Sequence, residues 1–158
     1  MGVVEQSQET VEEYLSALEE SYRSFPVNQT TVAVAVEKYQ RERERAVAGS
    51  VDSYAKVTNE ADDVLHLEED GDLRLPSART SDGEIGRATV DAVEHSTGVT
   101  PRIDGIEQAT ILGIHDTGSA HETVFRLAVI FEATRQAGSP NADAVWHSTA
   151  EIPEIVVS

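Results

Sequence analysis

Leu75-Pro-Ser-Ala-Arg-Thr-Ser-Asp-Gly-Glu-Ile-Gly-Arg-Ala-Thr-Val-Asp-Ala-Val-Glu-His-Ser-Thr-Gly-Val99 divides into a polar loop and one helix. The helix is expected from about Gly83 or Glu84 to Ser96. It stops at Gly98, which can take the left-handed cap conformation without a Cβ penalty. Beyond it, Ile103 to His115 is strand-like, interrupted by Gly105 and Gly113. Thr123 to Ala133 is the strongest strand in the chain. Phe125, Leu127, Val129 and Phe131 fall on one face, and Val124, Ala128 and Ile130 on the other. A strand apolar on both faces belongs at the centre of a sheet covered on both sides. After the turn Ala137-Gly-Ser-Pro140, a last strand is expected at Ala144 to His147 and a short helix at Ala150 to Val156.

Upstream of the loop, Ser53 to Thr58 and Asp63 to Leu67 read as strands. The turn Glu69-Asp-Gly-Asp72 leads into a short third strand at Leu73 to Leu75. Further upstream the period changes to a helical one. Val11, Leu15, Leu18, Tyr22 and Phe25 recur at helical spacing, and Thr10-Val-Glu-Glu13 has the spacing of a capping box. A helix from about Gln8 to Ser24 and a second from about Val32 to Val47 follow. Residues 1–50 are thus expected to form an N-terminal helical extension, and residues 51–158 an α/β domain with a mixed sheet between helical layers.

Charge sets the chemical setting. Asp and Glu number 29 against 12 Lys and Arg, a net charge of −17 in 158 residues. Such an excess loosens a compact fold by self-repulsion, and molar salt relieves it by shortening the Debye length to about 3 Å. A salt-loaded cytoplasm, as in a halophilic archaeon, is the expected setting. The absence of cysteine removes disulfides and thiolate metal sites. The acidic start, Met1-Gly-Val-Val-Glu5, has no signal-peptide character, and no apolar run approaches membrane-spanning length. Nucleic acid polymers are not expected partners, because binding them needs clustered cations. The one basic cluster, Arg41-Glu-Arg-Glu-Arg45, alternates with glutamates and reads as a solvated helix face.

The segment from Leu75 to Val99 resembles a Nudix box. The family pattern is G-x5-E-x7-R-E-U-x-E-E-x-G-U, usually preceded by Leu-Pro-Gly. Leu75-Pro76, Gly83-Glu84, Ile85 with Ala88, and Thr97-Gly98-Val99 match it. Val145-Trp146 followed by Glu151-Ile152-Pro153 is similar to the family's Trp…Glu-Leu-Pro ending. The resemblance covers about two-thirds of the chain. It implies a Nudix-like α/β/α sandwich and the lineage of enzymes that cleave nucleoside diphosphates linked to another group. It also implies Mg²⁺ or Mn²⁺ as cofactor if active, a nucleotide as ligand, and a homodimer in which the helical extension is one candidate interface.

The departures from the pattern bear on activity. Ser77-Ala78 replaces the glycine pair, and Glu84 to Gly98 is one residue short. With Thr97-Gly98 aligned, the Arg-Glu pair becomes Asp91-Ala92 and the Glu-Glu pair becomes His95-Ser96. Magnesium needs oxygen ligands in near-octahedral geometry, which alanine and serine do not supply in place of carboxylates. That register predicts a weak or inactive site and a nucleotide-binding or interaction module. A one-residue shift instead makes Asp91-x-x-Glu94-His95 a metal-ligand set on one helix face. Glu84, Asp91, Glu94 and His95 are then the candidate ligands, and Glu84 and Glu94 the candidate catalytic carboxylates of an active hydrolase. Against that stands a solvated face with an Asp91–His95 pair. His115, Asp116 and His121 flank one loop and either meet at a site or decorate a hairpin. His66 and His147 lie on strands as satisfied or exposed side chains.

Overall fold

The computed structural model describes residues 2–81, 83–118 and 121–148. In chain order the elements are α1 (Val3–Ser21), β1 (Val27–Val34), α2 (Val36–Val47), β2 (Val51–Thr58), β3 (Val64–Glu69), β4 (Asp72–Arg74), β5 (Ser77–Thr80), α3 (Ile85–Thr97), β6 (Val99–Asp116), β7 (Val124–Gly138) and β8 (Ala144–His147). The strands form one mixed sheet in the order β1-β6-β7-β2-β3-β4, with β5 also paired to β2 and β8 to β3. The β1/β6 and β2/β7 pairs are parallel, and the long β6/β7 pair is antiparallel.

β7 lies inside the sheet, as its two-sided apolar pattern requires. Leu127, Val129 and Phe131 join Val51 and Ala109 in a cluster capped by Val11 and Leu18 of α1 and by Ile85 of α3. Farther along the same face, Ala133 packs with Ala55, Val57 and Val93 of α3. On the opposite face, Val124 and Ala128 join Leu112 and Ile114 beneath Tyr39 and Ala46 of α2. Helices therefore cover both faces, and the mixed α/β/α layering expected from the pattern is present. Phe131 and Leu127 are essentially inaccessible, and each such side chain contributes about 1.5–3 kcal/mol by leaving water.

Several local expectations change. Val32 to Val34 belongs to a strand, with Val27↔Ala109 through Val34↔Asp116 in parallel register. The β-branched run Thr30-Thr-Val32 favours extended backbone, and helix begins only at Val36. Thr10 caps nothing, because α1 starts at Val3; its hydroxyl donates to the Gln6 carbonyl at 2.9 Å inside the helix. The helix ends at Ser21 rather than at Phe25-Pro26. Ser77 to Thr80, expected as loop, is a strand on β2. β6 is continuous through Gly105 and Gly113, but its ladder shifts register at Thr100/Pro101, Ile103/Gly105 and Ile106/Gln108. Proline lacks the ladder donor and is accommodated at such irregularities. The β3–β4 turn is built on Asp70 (φ 51°) and Gly71 (φ 83°), the paired positive φ of a type I′ hairpin. The helix expected at Ala150 to Val156, and Glu151-Ile152-Pro153 with it, lies outside the described residues.

Candidate functional site

α3 is seated by Ile85, Thr89, Val93 and Thr97, all buried and spaced by four. Two threonines on that face are satisfied within the helix. Thr89 donates to the Ile85 carbonyl at 2.7 Å and lies 2.6 Å from the Ser53 hydroxyl of β2. Thr97 donates to the Val93 carbonyl at 2.6 Å and accepts the Val99 N–H at 3.1 Å. Gly98 closes the helix at φ 81°, its N–H bonded to the Glu94 carbonyl. Val93 occupies the aliphatic position of the box pattern when Thr97-Gly98 is aligned, and it is fully buried.

The candidate ligands lie elsewhere on this helix. Glu84 sits at the N-cap with no side-chain capping bond, and Asp91, Glu94 and His95 are exposed on the outer face. Glu84 and Glu94 are ten residues apart, about 15 Å at helical rise. Asp91, Glu94 and His95 are neighbours at i, i+3 and i+4. Among the described residues, no three His, Cys, Asp or Glu side chains converge as a metal-binding group. Glu84 thus stands apart from the other three candidates in this arrangement. At the pattern's remaining ligand positions, Ala92 has no polar group, and the Ser96 hydroxyl donates to the Ala92 carbonyl at 2.8 Å.

The segment before α3, strand β5 included, does line a cleft. Leu75, Ser77, Ala78 and Arg79 meet Asp52, Tyr54 and Arg74 around about 370 Å³. The β2/β5 register places Asp52 opposite Arg79 and Tyr54 opposite Ser77. Arg79 donates Nε–H to Asp52 Oδ1 at 2.8 Å. Burial raises the Tyr54 hydroxyl pKa, assisted by the Asp52 charge. Burial also works against the Asp52 charge, but Arg126 and Arg79 outweigh it and hold the carboxyl below its ordinary range. A second cleft of about 480 Å³, at the far end of α3, places His95 and Ser96 near Glu68, Glu69 and Asp143.

Beneath the first cleft lies a group of charges that the sequence reading missed. Arg126, 2% exposed, donates Nη1–H to Glu42 Oε2 at 2.6 Å and Nη2–H to Asp52 Oδ1 at 2.8 Å. Arg45 reaches the other Glu42 oxygen at 2.7 Å. Glu42 is buried, so the Arg41–Arg45 segment is not wholly a solvated face. The available signal was one arginine inside the apolar run of β7.

The histidines sort as follows. Asp116 is buried and accepts from His121 through both the ring Nδ1 (3.0 Å) and the backbone N–H (3.3 Å). Those bonds, the ring bond foremost, hold its carboxyl below the ordinary range. Tyr39 stacks on His121 at 5.0 Å and donates its hydroxyl to the Glu122 carbonyl. His115 is not part of this contact set. His66 is fully buried, 3.0 Å from the Val64 carbonyl, with the His147 ring edge-on at 5.9 Å.

No protein-family model matches the chain, and no curated protein does. Solved structures show partial likeness. A UDP-X diphosphatase is 11% identical, with TM-score 0.47, over 90% of this chain and 83% of its own. A Nudix hydrolase from Nitrosomonas europaea is 19% identical, with TM-score 0.46, over 63% of this chain and 72% of its own. A Sinorhizobium meliloti 1021 protein provisionally described as an oxidoreductase is 18% identical, with TM-score 0.45, over 72% of this chain. The chain spans only 35% of that protein's length. At these values none of the likenesses assigns a residue or a reaction to this chain. Among the described residues, no helix is long and apolar enough to cross a membrane.

Proposed function

We propose that this chain is a Nudix-like module that binds a nucleotide or a related phosphate-bearing ligand and turns it over weakly or not at all. The observation that carries the reading is the cleft at the start of the box. In a chain of net charge −17, two arginines, Arg74 and Arg79, line it beside Tyr54 and Ser77. A guanidinium has five N–H donors in a rigid fork suited to phosphate; Arg79 gives its Nε–H to Asp52 at 2.8 Å and Arg74 pairs with Glu69 at 2.7 Å. The tyrosine offers a ring face to a base. The buried Val93 and Thr97 and the left-handed Gly98 favour the register in which Ala92, His95 and Ser96 stand at the family's ligand positions. The reading also carries over a cytoplasmic, salt-rich setting.

A second reading retains hydrolysis through displaced ligands. It is favoured by the common exposed face of Asp91, Glu94 and His95, with Mn²⁺ or Mg²⁺ as the ion. Calorimetry with ADP-ribose and with nucleoside triphosphates, with and without these ions, separates the two. The binding module takes up ligand without metal, hydrolysis stays near background, and Arg79→Gln weakens binding about tenfold or more, as the loss of a charge-assisted bond implies. Metal-dependent turnover abolished by Asp91→Asn or Glu94→Gln, in variants that still fold, replaces that reading with the second.

A further inference from the structure

Three observations meet at one edge of the sheet. Residues 24 to 36, from Ser24 to Val36, carry no charged side chain over thirteen positions, although charged residues make up 26% of the chain. β1 fills most of that run and, among the described residues, ends the strand order with β6 as its one neighbour. Finally, the exposed large hydrophobics among the described residues are Val27, Val36 and Val47, all on β1 or on the helix that follows it.

The ladder fixes which backbone groups face outward. The Ala109 N–H donates to the Pro26 carbonyl and the Thr117 N–H to the Val34 carbonyl. Even-numbered residues therefore turn toward β6, while Val27, Gln29, Thr31 and Ala33 turn N–H and C=O to the open side. Edge strands are ordinarily blunted by lysine, proline or a bulge. β1 has none of these from Val27 to Val34, and its register runs unbroken.

We propose that β1 is an interface at which two copies of this chain pair antiparallel, with the two-fold axis at Thr30. The outward set is self-complementary about that residue. Val27 comes opposite the partner's Ala33, Gln29 opposite the partner's Thr31, and Thr30 opposite itself in a non-hydrogen-bonded pair. Exchange of both bonds at each outward pair gives about eight interchain hydrogen bonds, and threonine pairs are favourable across strands. Charge selects the occupant. A basic partner is drawn to the acidic surfaces, not to the neutral strand. Two copies of charge −17 repel wherever their acidic surfaces meet and approach with least repulsion along a neutral edge. The residual long-range repulsion is screened by salt, so association strengthens as KCl rises, opposite to an interface held by ion pairs.

The test is sedimentation of the full chain over a range of protein concentrations in dilute and molar KCl, with hydrogen exchange read at β1. Wild type is expected at twice the 17.1 kDa of one chain in molar KCl, with the Val27, Gln29, Thr31 and Ala33 amides protected. Thr30→Lys sets two ammonium groups against each other across the axis and gives a folded monomer in which those amides exchange fast. Thr30→Val keeps the dimer. Comparing the four amides in dilute and concentrated wild type gives the same answer without relying on a variant's folding. A wild type monomeric in molar KCl at every concentration overturns the proposal. So does a dimer in which the four amides stay in fast exchange, or a monomer in which they are already protected by the chain itself.

Discussion

Replacing Arg126 with methionine keeps most of the side-chain volume and removes the cation that joins α2, β2 and β7. The residue is 2% exposed and Glu42 is 1% exposed, so neither charge is reached by solvent. Removing one partner of a buried pair costs about 3–5 kcal/mol, because the remaining charge stays desolvated. Two features moderate that here. Arg45 still holds one Glu42 oxygen, and Arg79 still holds Asp52. The expected loss is therefore at the low end, about 3 kcal/mol, and at about 2–4 °C per kcal/mol for a chain of this size the melting point falls by about 6–12 °C. Urea titration in molar KCl measures the loss with surface repulsion screened. The double variant Glu42→Gln/Arg126→Met should lose less than the two single losses together, by about 1 kcal/mol or more, since groups in direct contact do not add. A loss for Arg126→Met below about 1 kcal/mol, or additivity within about 0.5 kcal/mol, refutes the view that this pair is a buried, coupled unit.

Raising KCl from about 0.1 M to about 2 M shortens the Debye length from about 10 Å to below 3 Å, and the melting temperature should climb throughout; a flat profile counts against adaptation to salt. Asp52 and Asp116 both have carboxyls held below their ordinary range. Their contribution is present above the unfolded carboxylate pKa of about 3.9 and is lost as pH falls through the lower folded values. Stability should thus decline in acid below about pH 4, and Asp116→Asn should flatten that decline; an unchanged acid profile in the variant excludes Asp116 as a contributor. Gly98→Ala puts a Cβ 2.8 Å from the Ser139 carbonyl oxygen at φ +81°, which should cost about 1–3 kcal/mol by thermal melting; a variant as stable as wild type shows that the helix end relaxes freely.

What could be read from the chain follows the range of the interactions involved. α3 was legible because its seating is local: Ile85, Val93 and Thr97 share one face and Gly98 ends it. β7 was legible because both of its faces are apolar. β1 was misread because Val32-Ala33-Val34 runs directly into the helical pattern of α2, and only pairing with residues 109 to 116 holds it extended. β5 was missed because Ser77 to Thr80 has little apolar alternation of its own and forms against β2. Burial of Glu42 was invisible for the same reason. Its partner Arg126 lies 84 positions along the chain, and nothing within Arg41 to Arg45 distinguishes buried Glu42 from exposed Glu44. The box segment could be found from its motif, whereas the cleft it lines needed Asp52 and Tyr54 brought alongside by the sheet.

The two parallel pairings also govern how the chain reaches this structure. Val27 waits for Ala109 and Val51 for Leu127, so neither strand can be placed until its distant partner is present. The local parts of the sheet are the β3–β4 hairpin and the longer β6–β7 hairpin, which pairs from Ile114↔Val124 outward to Val99↔Gly138. A topology of such high contact order folds slowly, since the loop-closure entropy must be met before the distant contacts form. Both β1 and β2 precede their parallel partners in the chain, and β1 is the uncharged, β-prone one. Glu20 and Glu37 flank that strand, and charge beside a β-prone segment disfavours its association with other chains while it is unpaired.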